Sequence, residues 1–388
     1  MTHIDDKYAE LGGATGVLGS PTSGEQTCAD GEGRHRTFER GSIFWHPLTG
    51  ARKVHGLIHD KWAALNSERG FLGYPKGDES DSDGGTPGRV SLFQGGAITW
   101  KKGTDEAFET HGAIRSKHGE MGGEANFLGF PVTDESSTPD GSGRLQHFEH
   151  GSIYWKPSLS AREVHGHIRQ YWADNGWENN PELGYPISDE TPTFAGSPHR
   201  FNDFENGVVF WRHGNDDAEA LTPAPAWNRP AAEVVSAIEG SLVAAIGAHA
   251  HLYLRSGPSL GSITDYRWDG TLVHNRMYEI HLVVGVDTPM VPDPWINVDL
   301  WMEIRFDRAN GTIWLSPHHA EVHAHVPWPD SLELPAGRVA AKVRSILDPM
   351  IGERLDTMSL PDLTNERLLS AKVMPNGDLN VYLQPPPD

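Results

Sequence analysis

Leu72-Gly73-Tyr74-Pro75 returns three times in variant form, as Leu18-Gly19-Ser20-Pro21, Leu128-Gly129-Phe130-Pro131 and Leu183-Gly184-Tyr185-Pro186. A spacing of about 55 residues marks one structural unit copied four times, just beyond the usual periods of propellers and solenoids. A unit that short cannot bury an adequate core alone. Neighbouring copies must therefore share faces, and any ligand site is expected to recur with them.

Outward from each proline the copies align column by column. A glutamate stands four residues on: Glu25, Glu79, Glu135, Glu190. Then come Arg34-Phe38-Gly41-Ile43-Trp45, Arg89-Phe93-Gly96-Ile98-Trp100, Arg144-Phe148-Gly151-Ile153-Trp155 and Arg200-Phe204-Gly207-Val209-Trp211. The alternation of Ile43 with Trp45 has the period of a strand with one buried face, which places the tryptophans in the core and Phe44, Tyr154 and Phe210 on the opposite face. Asp30-Gly31, Asp83-Gly84 and Asp140-Gly141 are hairpin turn signals. Val54-His55-Gly56, Thr110-His111-Gly112 and Val164-His165-Gly166 each lead into a short helix, in which Ile58 and Trp62, or Ile168 and Trp172, share a face. Ile4 and Tyr8 open the first unit in the same way.

These columns closely resemble the LGFP repeat family, over about residues 4–221. The resemblance implies the blades of a β-propeller-like assembly, in bacterial proteins that are often secreted and attached to envelope enzymes, and it implies binding to cell-wall glycans or anchoring. A repeat fold does not by itself fix a function. The fourth copy departs from the pattern, reading Ala218-Glu219-Ala220-Leu221 where the others have Val-His-Gly or its equivalent. Either its last strand is degenerate or another segment closes the array.

The repeated glutamate and arginine stand nine or ten residues apart across a hairpin, which suits a structural ion pair or, alternatively, a ligand-facing pair. Phe44, Tyr154 and Phe210 are the candidate ligand-binding residues: they either pack on the neighbouring blade or form an apolar platform for a sugar ring. His55, His111 and His165 read as backbone-bonding residues. Asp78, Asp81 and Asp83 read as a solvated turn, because the glutamate that completes a calcium loop is missing.

A Pro/Ala linker over 222–230 separates residues 1–221 from a second domain, 231–388, that matches no family pattern. The overall class is mostly β with α. In the second domain a helix over 231–246, strands over 249–255, 263–268, 273–286, 296–306, 312–315 and 319–326, a helix over 338–355 and a closing hairpin around Asn376-Gly377 predict an antiparallel sheet covered by two helices. His319, Glu321, His323 and His325 fall on one face of a strand and make a metal-ligand inventory for a divalent ion. Same-face neighbours on a strand lie about 7 Å apart, so a neighbouring strand must complete a tight site, with His249 and His251, or Glu279 with His281, available. A solvated strand that merely uses histidine, or a sensor of mild acidity, fits the same residues. Were the domain an enzyme, His323, Glu321 and Glu303 would be its catalytic candidates.

The formal charge of -21 disfavours nonspecific attraction to nucleic acid or anionic membrane. Cys28 is the single cysteine, which excludes an internal disulfide and a cysteine-based zinc cluster. No run of about 18 apolar residues is present to span a membrane. As written the chain is expected to be soluble and cytosolic, or extracellular if a leader is removed or export takes another route. No nucleophile elbow, phosphate loop, dinucleotide fingerprint or His-Glu-x-x-His helix occurs, which leaves the question of an enzyme open. Three functions are consistent with these features: a binding protein for a carbohydrate or envelope polymer with a separate C-terminal activity, an enzyme with a His/Glu-lined site, and a carrier of a hydrophobic small molecule.

Overall fold

The glycine of each Leu-Gly-x-Pro has a backbone that side chains resist. In the computed structural model, which describes residues 1–82, 87–224, 228–248, 252–260, 266–268, 271–273, 277–287, 295–307, 312–325, 336–352, 368–374 and 376–385, Gly19, Gly73, Gly129 and Gly184 have φ of 74, 65, 73 and 70°. A Cβ there would come within 2.3–2.7 Å of a side-chain oxygen of Glu39, Gln94, Glu149 or Glu205. That oxygen accepts the N–H of the next residue, Ser20, Tyr74, Phe130 or Tyr185, at 3.0–3.1 Å. The glycine carbonyl accepts from the preceding helix, from Tyr8 Oη at 2.9 Å and Trp62 Nε1 at 3.2 Å, while His118 Nε2 takes that place at 3.1 Å in the third copy. The leucine is buried in every copy, and the proline bridges to the repeat phenylalanine, as in Pro131 with Phe148. The tetrapeptide thus ties helix, turn and hairpin together. Gly129→Ala is expected to destabilise the unit by about 2 kcal/mol through left-handed strain and the displaced glutamate bond, a loss that urea unfolding will measure.

Each copy is an open antiparallel meander with its strands in sequence order. The first follows α1 (His3–Glu10) and contains β1 (Gln26–Thr27), β2 (Arg34–Phe38), β3 (Gly41–His46) and β4 (Gly50–His55). After α2 (Gly56–Ala64) come β5 (Ser80–Asp81), β6 (Gly88–Leu92), β7 (Gly96–Lys101) and β8 (Ala107–His111). After α3 (Gly112–Glu120) come β9 (Ser136–Ser137), β10 (Arg144–Phe148), β11 (Gly151–Lys156) and β12 (Leu159–His165). The fourth follows α4 (Gly166–Asp174) with β13 (Thr191–Pro192), β14 (Arg200–Asp203), β15 (Val208–Trp211) and a residual β16 (Glu219–Ala220).

The third strand of a copy does not have the single buried face that its alternation predicts. Ile43, Ile153 and Val209 are buried as expected, but Phe44, Tyr154 and Phe210 on the other face are buried too, at 6, 2 and 0% exposure. Trp45, Trp100, Trp155 and Trp211 are the half-exposed members. The reason is that a repeat sheet packs on both sides. Phe44 meets Trp62 edge-on at 4.7 Å and Tyr74 at 6.5 Å, both from beyond its own sheet, in a cluster that also holds Val54, Ile58 and Leu72. Aspartate adds a polar tie: Asp78 accepts the Lys53 N–H at 2.9 Å and pairs with Lys7 at 2.6 Å, and Asp134 accepts the Glu109 N–H at 3.0 Å and pairs with Lys61. Asp78 is therefore structural rather than a solvated turn residue. Asp81 pairs with Arg89 on the surface, and Asp83 lies outside the described residues.

By its contacts the chain divides into two compact units, Met1–Gln170 and Tyr171–Asp388. The second unit contains the fourth copy together with α5 (Ala231–Gly247), β17 (Leu252–Leu260), β18 (Tyr266–Trp268), β19 (Thr271–Val273), β20 (Met277–Val286), β21 (Trp295–Asp307), β22 (Thr312–His325), α6 (Ala336–Leu347), β23 (Leu368–Val373) and β24 (Leu379–Leu383). The strand expected over 273–286 starts at Met277, and Thr271–Val273 pairs instead with Tyr266–Trp268. The last helix is shorter than its pattern, ending in a 3-10 turn over Asp348–Met350 that contains Pro349. The main sheet runs β17-β20-β21-β22. One core cluster joins Ile280, Val298 and Leu300 of this sheet to Val234, Ile238 and Leu242 of α5, Val343 and Ile346 of α6, and Val373 and Val381 of the closing hairpin.

The other side of that hairpin belongs to the fourth copy. Leu369 and Tyr382 cluster with Phe201, Val208 and Phe210. Lys372, 1% exposed, donates to Asp203 and to the Phe204 carbonyl at 2.5 Å, and Ser370 Oγ donates to Asp203 Oδ2 at 2.6 Å. The last strand of the fourth copy is indeed degenerate, reduced to two residues, and the closing hairpin packs on the copy's apolar residues.

Candidate functional site

The residue before each repeat leucine is large, apolar and exposed in three copies: Val17 at 40%, Phe71 at 52% and Phe127 at 52%. Phe71 and Phe127 are the two aromatic members of that column. Each phenylalanine is held by the histidine that closes its sheet, Phe71 on His111 at 4.7 Å and Phe127 on His165 at 4.5 Å between ring centres. The imidazoles are fixed in turn. His111 Nδ1 donates to Glu109 Oε2 at 2.8 Å and its Nε2 faces Glu135 Oε1 at 3.2 Å, while His165 Nδ1 donates to Glu163 Oε2 at 2.8 Å. Glu135 Oε1 also accepts Arg144 Nε at 2.8 Å, and Arg144 lies opposite the half-exposed Trp155 in strand register. Ring, imidazole, carboxylate, guanidinium and indole thus follow one another across a junction between copies.

The electrostatics differ between junctions. The bond to Glu109 lifts His111 above its ordinary value against an opposing effect of burial. His55 has Lys53 in place of that glutamate, and burial pulls it down. Burial also raises the Glu135 carboxyl, with Arg144 working in the other direction. The repeated Glu–Arg pair closes in the middle copies, at 2.8 Å for Glu79–Arg89 and for Glu135–Arg144. It stretches to 4.0 Å for Glu190–Arg200, and in the first copy Glu25 accepts Thr2 Oγ1 instead. There Glu25, Arg34 and Trp45 line a concavity of about 470 Å³, with His3 stacked on the indole at 5.0 Å.

The LGFP repeat matches residues 18–70, 72–126, 128–180 and 183–224, more than half of the chain. The protein belongs to the LGFP repeat family. No curated protein matches this LGFP-repeat chain. Among solved structures it is similar to the extracellular domain of a protein assigned as the hybrid two component system BT4673 from B. thetaiotaomicron, at 10% identity over 93% of this chain and 38% of that one. The TM-score of 0.15 makes that likeness too slight to carry an argument.

Within the LGFP repeats, Phe44, Tyr154 and Phe210 are not a platform for a sugar: each is buried among side chains of the fold. The signal for the exposed rings was in the column just before each leucine. In the second unit, β22 holds the candidates as the alternation implies, with His319 opposite Trp301, Glu321 opposite Asp299 and His323 opposite Asn297. His319 is half-buried and stacked on the Trp301 indole at 5.4 Å, and burial lowers its pKa. Its Nε2 is 3.9 Å from Glu321, whose other oxygen lies 3.6 Å from His323 Nε2. Glu303 is not part of this group: it stands four residues along β21 from Asp299, beyond a register shift, and accepts Arg305 Nε at 2.9 Å. The His325 side chain, His249 and His251 lie outside the described residues. Glu279 faces Trp301, and His281 faces Asp299 in register. Among the described residues, Val234, Ile238 and Leu242 of α5 and Val343 and Ile346 of α6 cluster with apolar residues of the sheet, and no observation favours the carrier reading. No helix among the described residues is long and apolar enough to cross a membrane.

Proposed function

We propose that the LGFP repeats bind a carbohydrate polymer of the cell envelope through the exposed Phe71–His111 and Phe127–His165 pairs. The observation that carries this reading is a half-exposed aromatic ring, locked in place by an imidazole, recurring at the repeat period. The C–H face of a pyranose lies on such a ring while its hydroxyls bond to the charged groups alongside. Repeated sites match a repeated ligand, and modest sites gain through simultaneous engagement. A charge of -21 favours a neutral glycan over a polyanion. In this reading the repeats serve as propeller-like blades over residues 1–221. The segment 231–388, with two helices covering its sheet, supplies a separate activity.

The test is a titration of the full chain against bacterial cell-wall glycans on an array, wild type beside Phe71→Ala/Phe127→Ala. Saturable binding weakened roughly tenfold or more is expected, since each ring contributes about 1 kcal/mol. Thermal stability should stay near wild type because both rings are half exposed. Absence of glycan binding, or equal binding by the double variant, would overturn the proposal.

A further inference from the structure

We propose that Asp299, Glu321 and His323 form a binding site for one divalent transition-metal ion, independent of whatever the repeats bind. One carboxylate oxygen of Asp299, one of Glu321 and a ring nitrogen of His323 all lie within 4.8 Å of one another. The three residues come from adjacent strands in register, Asp299 paired with Glu321 and Asn297 with His323. The sequence offered His249 with His251, or Glu279 with His281, to complete a site with Glu321 and His323; the ligand that stands beside them is Asp299 of β21.

Two further observations point to a ligand. First, His281 on β20 donates from Nδ1 to Asp299 Oδ1 at 2.5 Å, an outer partner that fixes the carboxylate and leaves its second oxygen for an ion. Second, His281, Asp299 and His323 line one concavity of about 550 Å³ together with Ser259 and Asn297, which gives room for the remaining coordination positions to hold water. Two carboxylates this close on an acidic chain repel each other, and a cation between them removes the repulsion.

The donor set selects the metal. An imidazole with two carboxylates suits zinc or manganese better than calcium, which takes six to eight oxygens. Bonds of about 2.0–2.2 Å place ligand atoms roughly 3.4 Å apart. Closing from 4.8 Å requires small side-chain rotations, and Glu321 and His323 are exposed and free to make them.

The full chain, stripped with chelator, is to be titrated calorimetrically with Zn²⁺. One equivalent is expected to bind tightly, with affinity falling at least roughly a hundredfold in Asp299→Asn and in His323→Ala, and roughly tenfold in His281→Ala. His213→Ala, at an exposed histidine of the fourth copy, should bind as wild type. In the unaltered protein, Zn²⁺ should also shift the ring resonances of His323 and leave those of His213 in place, a readout that does not depend on any variant folding. Lack of a stoichiometric event, or one that Asp299→Asn and His323→Ala leave unchanged, would sink the proposal.

Discussion

Asp203→Ala is expected to destabilise the second unit by about 3–5 kcal/mol. Asp203 and Lys372 are each 1% exposed. The carboxylate accepts from both Lys372 Nζ and Ser370 Oγ, and the ammonium has the Phe204 carbonyl besides. Removing the aspartate leaves a buried cation facing a neutral carbonyl, and the cost is the unpaired charge rather than the lost bond. The sharper form of the prediction is therefore a cycle. Asp203→Leu/Lys372→Met removes both charges and should recover most of the loss, because a buried ion pair contributes little net stability over an apolar replacement of similar volume. Urea unfolding followed by tryptophan fluorescence measures both. A cost below about 1 kcal/mol for Asp203→Ala would mean that Lys372 reaches water or another anion when its partner is gone.

The features legible in the sequence are those that each copy decides for itself. Leu128, Gly129, Phe148 and the Glu135–Arg144 pair do their work inside one unit or at its edge, so four copies spell out the same columns. Phe44 failed that test. Its burial depends on Trp62 and Tyr74, and period-2 alternation carries no information about a second neighbour. The hairpin Leu368–Leu383 was readable as a hairpin, but nothing in Leu368-Leu369-Ser370-Ala371-Lys372-Val373 says that Lys372 is buried or that its partner lies 169 residues earlier. At the histidine strand, the shared face of Glu321 and His323 followed from alternation. Alternation also puts Asp299 on the polar face of its own strand, with Asn297 and Trp301. Its pairing with Glu321 was not legible, because register is set by the whole β21–β22 ladder, including the shift at Trp301/Met302.

A chain cut after Leu221, at the boundary that the repeat pattern itself suggests, is expected to lose the fold of its fourth copy. Phe201 and Phe210 are fully buried, and Leu369 and Tyr382 provide their cover. Exposing two phenylalanines costs about 3–6 kcal/mol, and the cut also removes Lys372 and Ser370 from Asp203. A terminal repeat with an uncapped apolar face has little to set against that, since array stability is a sum over units and their interfaces. Limited proteolysis read by mass spectrometry decides the matter: cleavage between 171 and 221 is expected in the fragment and not in the full chain, while Met1–Gln170 resists in both. Equal resistance would show that the fourth copy keeps its fold without the hairpin. The C-terminal hairpin would then be a lodger on the repeat rather than its cap, and the Asp203–Lys372 pair would serve the second domain's placement instead of the repeat's stability.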